Sequence, residues 1–250
     1  MDRFIIFAGA GISQESGLST FRDSDGIWSQ FNVDELCNYT KWLNATKNET
    51  ALRAKIFEFY NLRKLAIQQA QPNAAHFQVA QWQQRFGDKV IVITSNIDDL
   101  FEKAGCTNVL HVHGETTHMH CATCAKTWHI GDAPFDPSPR CPHCGSRYTK
   151  PNVVFFGERA PNYGSMFSHF HPKRRTRNDV ILYVGSSMTV LPPKLLFGDG
   201  KKDQKANWGH RILVNKERPT EPVPFDFTFY GLATEKLPEV DSLLTRLTYV

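Results

Sequence analysis

Short apolar runs punctuate the chain at Phe4–Phe7, Val90–Thr94, Val109–Val112, Val180–Val184 and Arg211–Val214. Each is brief and rich in β-branched or aromatic residues, which predicts strands rather than buried helices. Between several of them the apolar positions take helical spacing, notably over 50–70, 74–86 and 97–104. Strands alternating with helices predict an α/β fold whose parallel sheet is covered by helices on both faces. Two stretches break this rhythm. Residues from about 31 to 75 read as mostly helical, and about 116–150 are rich in cysteine, proline and polar residues with little periodicity. The expected organisation is one domain, 1–250. Its large part spans 1–30, 76–115 and 151–250, with a helical insertion and a small cysteine-bearing module set into it. No internal repeat or low-complexity tract stands out.

The first strand runs straight into Gly9-Ala10-Gly11, as a turn that meets a phosphate requires. The dehydrogenase fingerprint G-x-G-x-x-G would need a third glycine where Gln14 stands. No lone acidic residue closes a second strand about twenty positions on to grip a ribose. The turn therefore reads as a nucleotide-binding turn whose glycines are misplaced for a dehydrogenase.

Composition narrows the picture. A length of 250 residues is ample for a full core. The net charge of +4 suits acidic or phosphate-bearing ligands but is too small to argue for nucleic acid. The basic cluster HPKRRTR at 171–177 lacks interleaved aromatics and reads as solvated surface. Asp2 and Arg3 lead directly into the first strand, and no apolar run approaches the roughly 20 residues of a membrane span. A soluble intracellular protein is expected. In that setting six cysteines point to metal rather than disulfides. Cys121-x2-Cys124, sixteen residues, then Cys141-x2-Cys144 is the spacing of a tetrahedral zinc site. Four thiolates leave no open position, so the zinc is structural. Metal ligation would stabilise a segment too polar to hold itself. Cys37 and Cys106 are read as buried side chains, and His118, His120, His129 and His143 as neighbours of the module.

Further segments complete a constellation: TSNIDDLFEKAG at 94–105, HVHGE at 111–115, NVVFFGE at 152–158, VGSSMTVLPP at 184–193 and ILVNKE at 212–217. Together with the glycine turn and the cysteine module, in this order, they resemble the sirtuins, the NAD-dependent protein lysine deacylases. The resemblance runs from Phe4 to about Leu244. It implies that Gly9, Ala10, Gly11 and Ser13 lie against the NAD diphosphate and that Phe21 and Arg22 flank the nicotinamide ribose. Asn96 and Asp98 would line the nicotinamide pocket, with Ser95 beside the ribose and Asn96 counted among the catalytic residues. Gly185, Ser186 and Ser187 would face the adenosine ribose and phosphates, and Asn215, Lys216 and Ala233 would belong to the adenosine side. Val154, Phe155, Phe156, Gly157 and Glu158 would offer a strand edge to an acylated peptide.

His113 is the implied general base. In the family's mechanism the acyl oxygen attacks C1′ of the ribose and nicotinamide leaves. A histidine then takes a proton from a ribose hydroxyl, which attacks the resulting imidate. Free lysine and O-acyl-ADP-ribose follow. His111, two residues earlier, is expected to matter much less. A sirtuin-like NAD hydrolase and a mono-ADP-ribosyltransferase share parts of this chemistry. The VVFFGE segment and the cysteine module argue against the first, and His113 against the second. A catalytically silent NAD-binding module would tolerate loss of His113 or Asn96, and both are present.

Tyr60 and Arg63 sit three apart on an expected helix and resemble the Y-x-x-R of sirtuins that remove succinyl and malonyl groups. Their partner in the pocket, usually a small alanine, aligns with Cys37. Acylated lysine proteins are the expected partners, with no membrane or nucleic acid, and the protein is expected to be a cytoplasmic monomer. One residue departs from the family: Ser95 stands where glutamine is usual. Serine is too short to reach the ribose directly, although water can bridge. Ser95→Gln is therefore expected to tighten NAD binding and speed turnover. Unchanged values for both in calorimetry and steady-state kinetics would refute this reading of position 95.

Overall fold

A computed structural model describes residues 1–19, 31–136, 138, 140–197, 209–219 and 224–248. Phe21 and Arg22 lie outside the described residues. A six-stranded sheet has the order β3-β2-β1-β7-β8-β9. Its strands are β1 (Phe4–Ala8), β2 (Val90–Thr94), β3 (Leu110–His111), β7 (Val180–Val184), β8 (His210–Asn215) and β9 (Phe227–Tyr230). Every pairing is parallel, so both faces need cover.

The alternation in β1 shows how the cover is arranged. Phe4, Ile6 and Ala8 face one core, packed by Ala75, Val79 and Trp82 of α4 (Ala74–Phe86) and by Leu237, Val240 and Leu244 of α8 (Ala233–Thr248). Ile5 and Phe7 face the other, with Met166 of α6 (Tyr163–His169) and Leu196 of α7 (Pro193–Phe197). Phe7 stacks on Tyr183 at 4.6 Å. The expected Rossmann-like architecture is present.

Two expected elements are shorter than their pattern. The helix expected over 97–104 is α5 (Leu100–Lys103), because Asp98 accepts the Leu100 amide at 3.3 Å and holds the chain before it out of the helix. The strand expected over Val109–Val112 pairs only at Leu110–His111, after which the chain turns towards Gly114.

The helical stretch contains α1 (Val33–Leu36), α2 (Tyr39–Lys47) and α3 (Ala51–Gln69). The cysteine-rich stretch is more regular than its composition suggested. It holds an antiparallel sheet, β5-β4-β6, of β4 (Gly114–Cys121), β5 (Thr127–His129) and β6 (Thr149–Val153). These two parts are not independent: Trp42, Phe57, Phe59 and Tyr60 share one core with Met119, Phe135, Val153 and Phe155. Among the described residues no helix is long and apolar enough to cross a membrane.

Candidate active site

Parallel strands deliver their following loops to one edge, and the loops that carry Gly9, Gly11, Ser95 and Gly185 meet there. The loops after β1 and β7 meet backbone to backbone. Gly11 donates to the Gly185 carbonyl at 2.7 Å, and Gly9 to Val184 at 2.9 Å. A Cβ on Gly9 or Gly11 would lie 2.8 Å from the Gly185 oxygen. Gly185, with φ +61°, would drive one to 2.5 Å from the Ile12 nitrogen. These glycines are required by loop-on-loop packing, apart from any ligand. The loop after β2 joins them, since the Ser95 amide donates to the Ala8 carbonyl at 3.0 Å.

Ser13 is the junction of this edge. His76 on α4 accepts the Asn73 amide at Nδ1, 3.3 Å away, so its proton sits on Nε2, 3.4 Å from Ser13 Oγ. Burial pushes the His76 pKa down to about 4, which keeps it neutral. Asn96 Nδ2 also donates to Ser13 Oγ, at 3.1 Å, and to the Gly9 carbonyl at 3.3 Å. With both lone pairs taken, the Ser13 hydroxyl proton goes to the Asp98 carboxylate, its hydrogen-bond partner. Burial raises the Asp98 pKa, and the Leu100 amide and Ser13 oppose the rise. Asn96 Oδ1 is buried with no partner among the described residues, an acceptor suited to a ligand's amide. A nicotinamide group fits such a set of donors and acceptors.

Ser95 does not extend into the site. Its hydroxyl turns back to the Ala8 carbonyl at 3.4 Å. Its own carbonyl, however, accepts His113 Nδ1 at 3.2 Å. A carbonyl cannot donate, so the His113 proton is on Nδ1 and its lone pair on Nε2. That lone pair accepts the Tyr163 hydroxyl at 2.9 Å. Burial holds the His113 pKa below the ordinary value, against the pull of the Ser95 carbonyl. Gly114, with φ +81°, has no room for a side chain, since a Cβ would lie 1.9 Å from the Asn152 carbonyl.

In the loop after β7, Ser186 Oγ accepts the Met188 amide at 3.1 Å and Ser187 Oγ the Thr189 amide at 3.4 Å. Asn215 ends β8 and donates to the Glu217 carbonyl at 3.2 Å. Lys216 follows, exposed, and Ala233 opens α8.

A cluster of aromatic rings packs against α3. Tyr60 on α3 stacks on Phe155 at 5.4 Å and 6° and donates to Cys37 Sγ at 3.4 Å. Burial pushes the Cys37 thiol up to about 11, so it is a neutral wall. Arg63, one turn on, is 8% exposed. Burial lowers its pKa, and Asp98, Tyr60 and Cys37 oppose this. The edge over Val154–Glu158 is partly spent: Val154 donates to the His113 carbonyl, Phe156 to Cys37, and Phe155 to Glu158 Oε2. Gly157, with φ +79°, has open space where a Cβ would stand. Lys150, fully buried, braces this segment through Glu158 at 3.0 Å and over the Phe155 ring at 4.5 Å.

The four cysteines converge. Their sulfurs all lie within 4.8 Å of one another, with Cys121–Cys144 at 3.7 Å and Cys124–Cys141 at 3.6 Å. Tetrahedral Zn–S bonds of about 2.3 Å set sulfurs about 3.8 Å apart, so the set fits zinc. The two turns repeat one pattern: Cys121 donates to Lys126 and accepts from Ala125, and Cys141 donates to Ser146 and accepts from Gly145. None of the neighbouring histidines belongs to this cluster.

Local spacing does not mark His76, Lys150 or Tyr163. His76 lies on the buried face of an amphipathic helix and looks like core. Tyr163 opens a helix 50 residues from its partner, so only the fold joins them. A hydroxyl donating to Nε2 favours neutral imidazole. Tyr163→Phe is therefore expected to raise the His113 pKa by about half to one on the pH scale, a hydrogen bond's worth. An NMR titration of the His113 ring checks this, and an unmoved midpoint would contradict the bond.

The match to known proteins covers most of the chain. Residues 9–192 match the family model described as Sir2 family. The NAD-dependent protein deacylase of Helicobacter hepaticus is 35% identical, over 98% of each chain. A solved Sir2 homologue in complex with NAD is similar with a TM-score of 0.77 and 31% identity, covering 98% of this chain and 90% of that one. A Sir2 homologue mutant in complex with 2′-O-acetyl ADP ribose is similar with a TM-score of 0.76 and 30% identity, covering 98% and 93%. With its parallel sheet, its cysteine cluster and its glycine, N-I-D and H-G loops on one edge, the chain belongs to the Sir2 family, the sirtuins.

Proposed function

We propose that this chain is an NAD-dependent protein lysine deacylase that favours succinyl and malonyl over acetyl groups and passes the acyl group to ADP-ribose. The observation that supports the preference is the buried Arg63, which interacts electrostatically with Tyr60 and Cys37, while Tyr60 stacks on Phe155 and donates to Cys37. A carboxylate entering an apolar tunnel unpaired is costly. Arg63 can bind it bidentately and the Tyr60 hydroxyl can turn from Cys37 to donate to it.

Bound NAD supplies the electrophilic ribose carbon and the nicotinamide leaving group. The chain's own residues orient and deprotonate. Asn96 and Asp98 hold the carboxamide, through the acceptor at Asn96 Oδ1 and the carboxylate that Ser13 steadies. His113 takes the ribose hydroxyl proton at Nε2, because the Ser95 carbonyl keeps the other nitrogen protonated. Tyr163 must release that lone pair as the ribose arrives. Zinc, held by Cys121, Cys124, Cys141 and Cys144, ties the module together and takes no part in the chemistry. The acetylated nucleotide in the homologue's complex, with its acyl group on the 2′ oxygen, is consistent with transfer to the ribose.

Two charge-assisted hydrogen bonds at about 1.5–3 kcal/mol each exceed a tenfold preference. Matched acetyl- and succinyl-peptides, with the nucleotide product read by mass spectrometry, test this on the parent and on Arg63→Met. The variant is expected to lose the succinyl activity by about tenfold or more while keeping the acetyl activity. Equal losses on both peptides would remove the specificity. Bare ADP-ribose or labelled protein as the product would move the assignment to NAD hydrolysis or ADP-ribosyl transfer.

A further inference from the structure

His111 and His113 stand two apart, yet their surroundings differ in one decisive respect. His113 has one acceptor and one donor facing its ring. His111 has an acceptor at each nitrogen: the Asn96 carbonyl 3.0 Å from Nδ1, and Glu102 Oε1 2.9 Å from Nε2. A neutral imidazole satisfies only one of these. The ring that satisfies both carries two protons.

We propose that His111 is held as an imidazolium strut that ties the loop bearing Asn96 and Asp98 to α5, and so positions the nicotinamide side of the site for NAD. This rests on the reading of Asn96 and Asp98 as the nicotinamide pocket. The charged groups that face the ring favour the cation from several sides. Glu102 comes from α5, Asp98 from the loop after β2 and Glu115 from β4. From α6, Asn162 donates to the His111 carbonyl at 2.8 Å and fixes the main chain without adding charge. The helix that holds Glu102 is anchored in turn, since Lys103 donates to the Ile67 carbonyl of α3 at 3.0 Å. Burial opposes the cation, but Glu102 and the Asn96 carbonyl outweigh it and the His111 pKa is raised.

The sign follows. The folded protein holds the His111 proton more tightly than the unfolded chain, so the tie is complete at low pH. It is lost as pH rises through the raised pKa. The neighbouring base works the other way, since His113 must lose its proton to act. Two histidines on one short segment then bound the working range, His113 from the acid side and His111 from the alkaline side. His111 acts through Asn96 and is a positioning residue, so its loss should appear in NAD affinity and KM rather than in the chemical step.

Glu102→Gln tests this. The amide oxygen still accepts from the ring, and Glu102 is 41% exposed at its side chain, so the fold should tolerate the change. NMR titration of the His111 ring should show a midpoint above the ordinary value of about 6.5 in the parent. In Glu102→Gln it should fall by about half to one on the pH scale, short of the full effect of a buried opposite charge. The alkaline weakening of NAD binding, followed by calorimetry, should move down with it, and KM for NAD should move without kcat. His111→Gln should bind NAD several-fold more weakly and lose the alkaline step. A His111 ring that titrates at or below the ordinary value in the parent would overturn the strut. So would NAD-binding profiles that superimpose in parent and Glu102→Gln. The ring titration and NAD binding need no turnover. Absence of deacylation with every acyl peptide would therefore count against the function proposed above and leave the strut standing or falling on its own measurements.

Discussion

The loops that follow β1, β2 and β7 touch through their main chains, and the rest of the site depends on that contact. Gly9, Gly11 and Gly185 approach more closely than any side chain allows. Ala8 then receives the Ser95 amide, and the Ser95 carbonyl receives His113. Each bond fixes the next. The geometry of His113 is therefore set by strand order and loop packing, several steps from the imidazole itself. A turn with two glycines meets a diphosphate in many proteins. Here its glycines let the neighbouring loop pass within van der Waals distance.

A second constraint joins parts that look separate along the chain. Phe155, the helices α1 to α3 and the cysteine module share one core. Phe155 meets Tyr60 on one side and Lys150 on the other. Zinc ligation therefore does more than close a loop. Zinc held by the four cysteines would steady the sheet against which α3 packs Phe57, Phe59 and Tyr60, with four thiolates closing its shell.

Much of this was legible in the residues. The strands Val90–Thr94 and Val180–Val184 are buried from both sides, so their apolar runs end where the strands end. The cysteine spacing declared the cluster because ligation needs little surrounding structure. The sheet around the cysteines stayed hidden. β4 reads GETTHMHC, and its buried positions, Thr116, Met119 and Cys121, do not alternate as a half-buried strand should. The helix α8 has Leu237, Val240 and Leu244 on one face but also Pro238, which masks the pattern. Candidate chemistry was visible where a motif carried it and invisible where the fold did. His111 carries no local signal of its two acceptors, Glu102 and the Asn96 carbonyl, because both come from other elements. Tyr163 and His76 had no local signal at all.

The central claim is that His113, with its lone pair at Nε2, removes a proton from the ribose after nicotinamide has gone. His113→Ala, mixed with NAD and an acylated peptide, separates the two halves of that sequence. Formation of O-acyl-ADP-ribose should fall by about a hundredfold or more, the usual contribution of a general base. Exchange of labelled nicotinamide into NAD, which precedes the base's step, should continue. Acyl-nucleotide formed at the parent's rate would contradict the account.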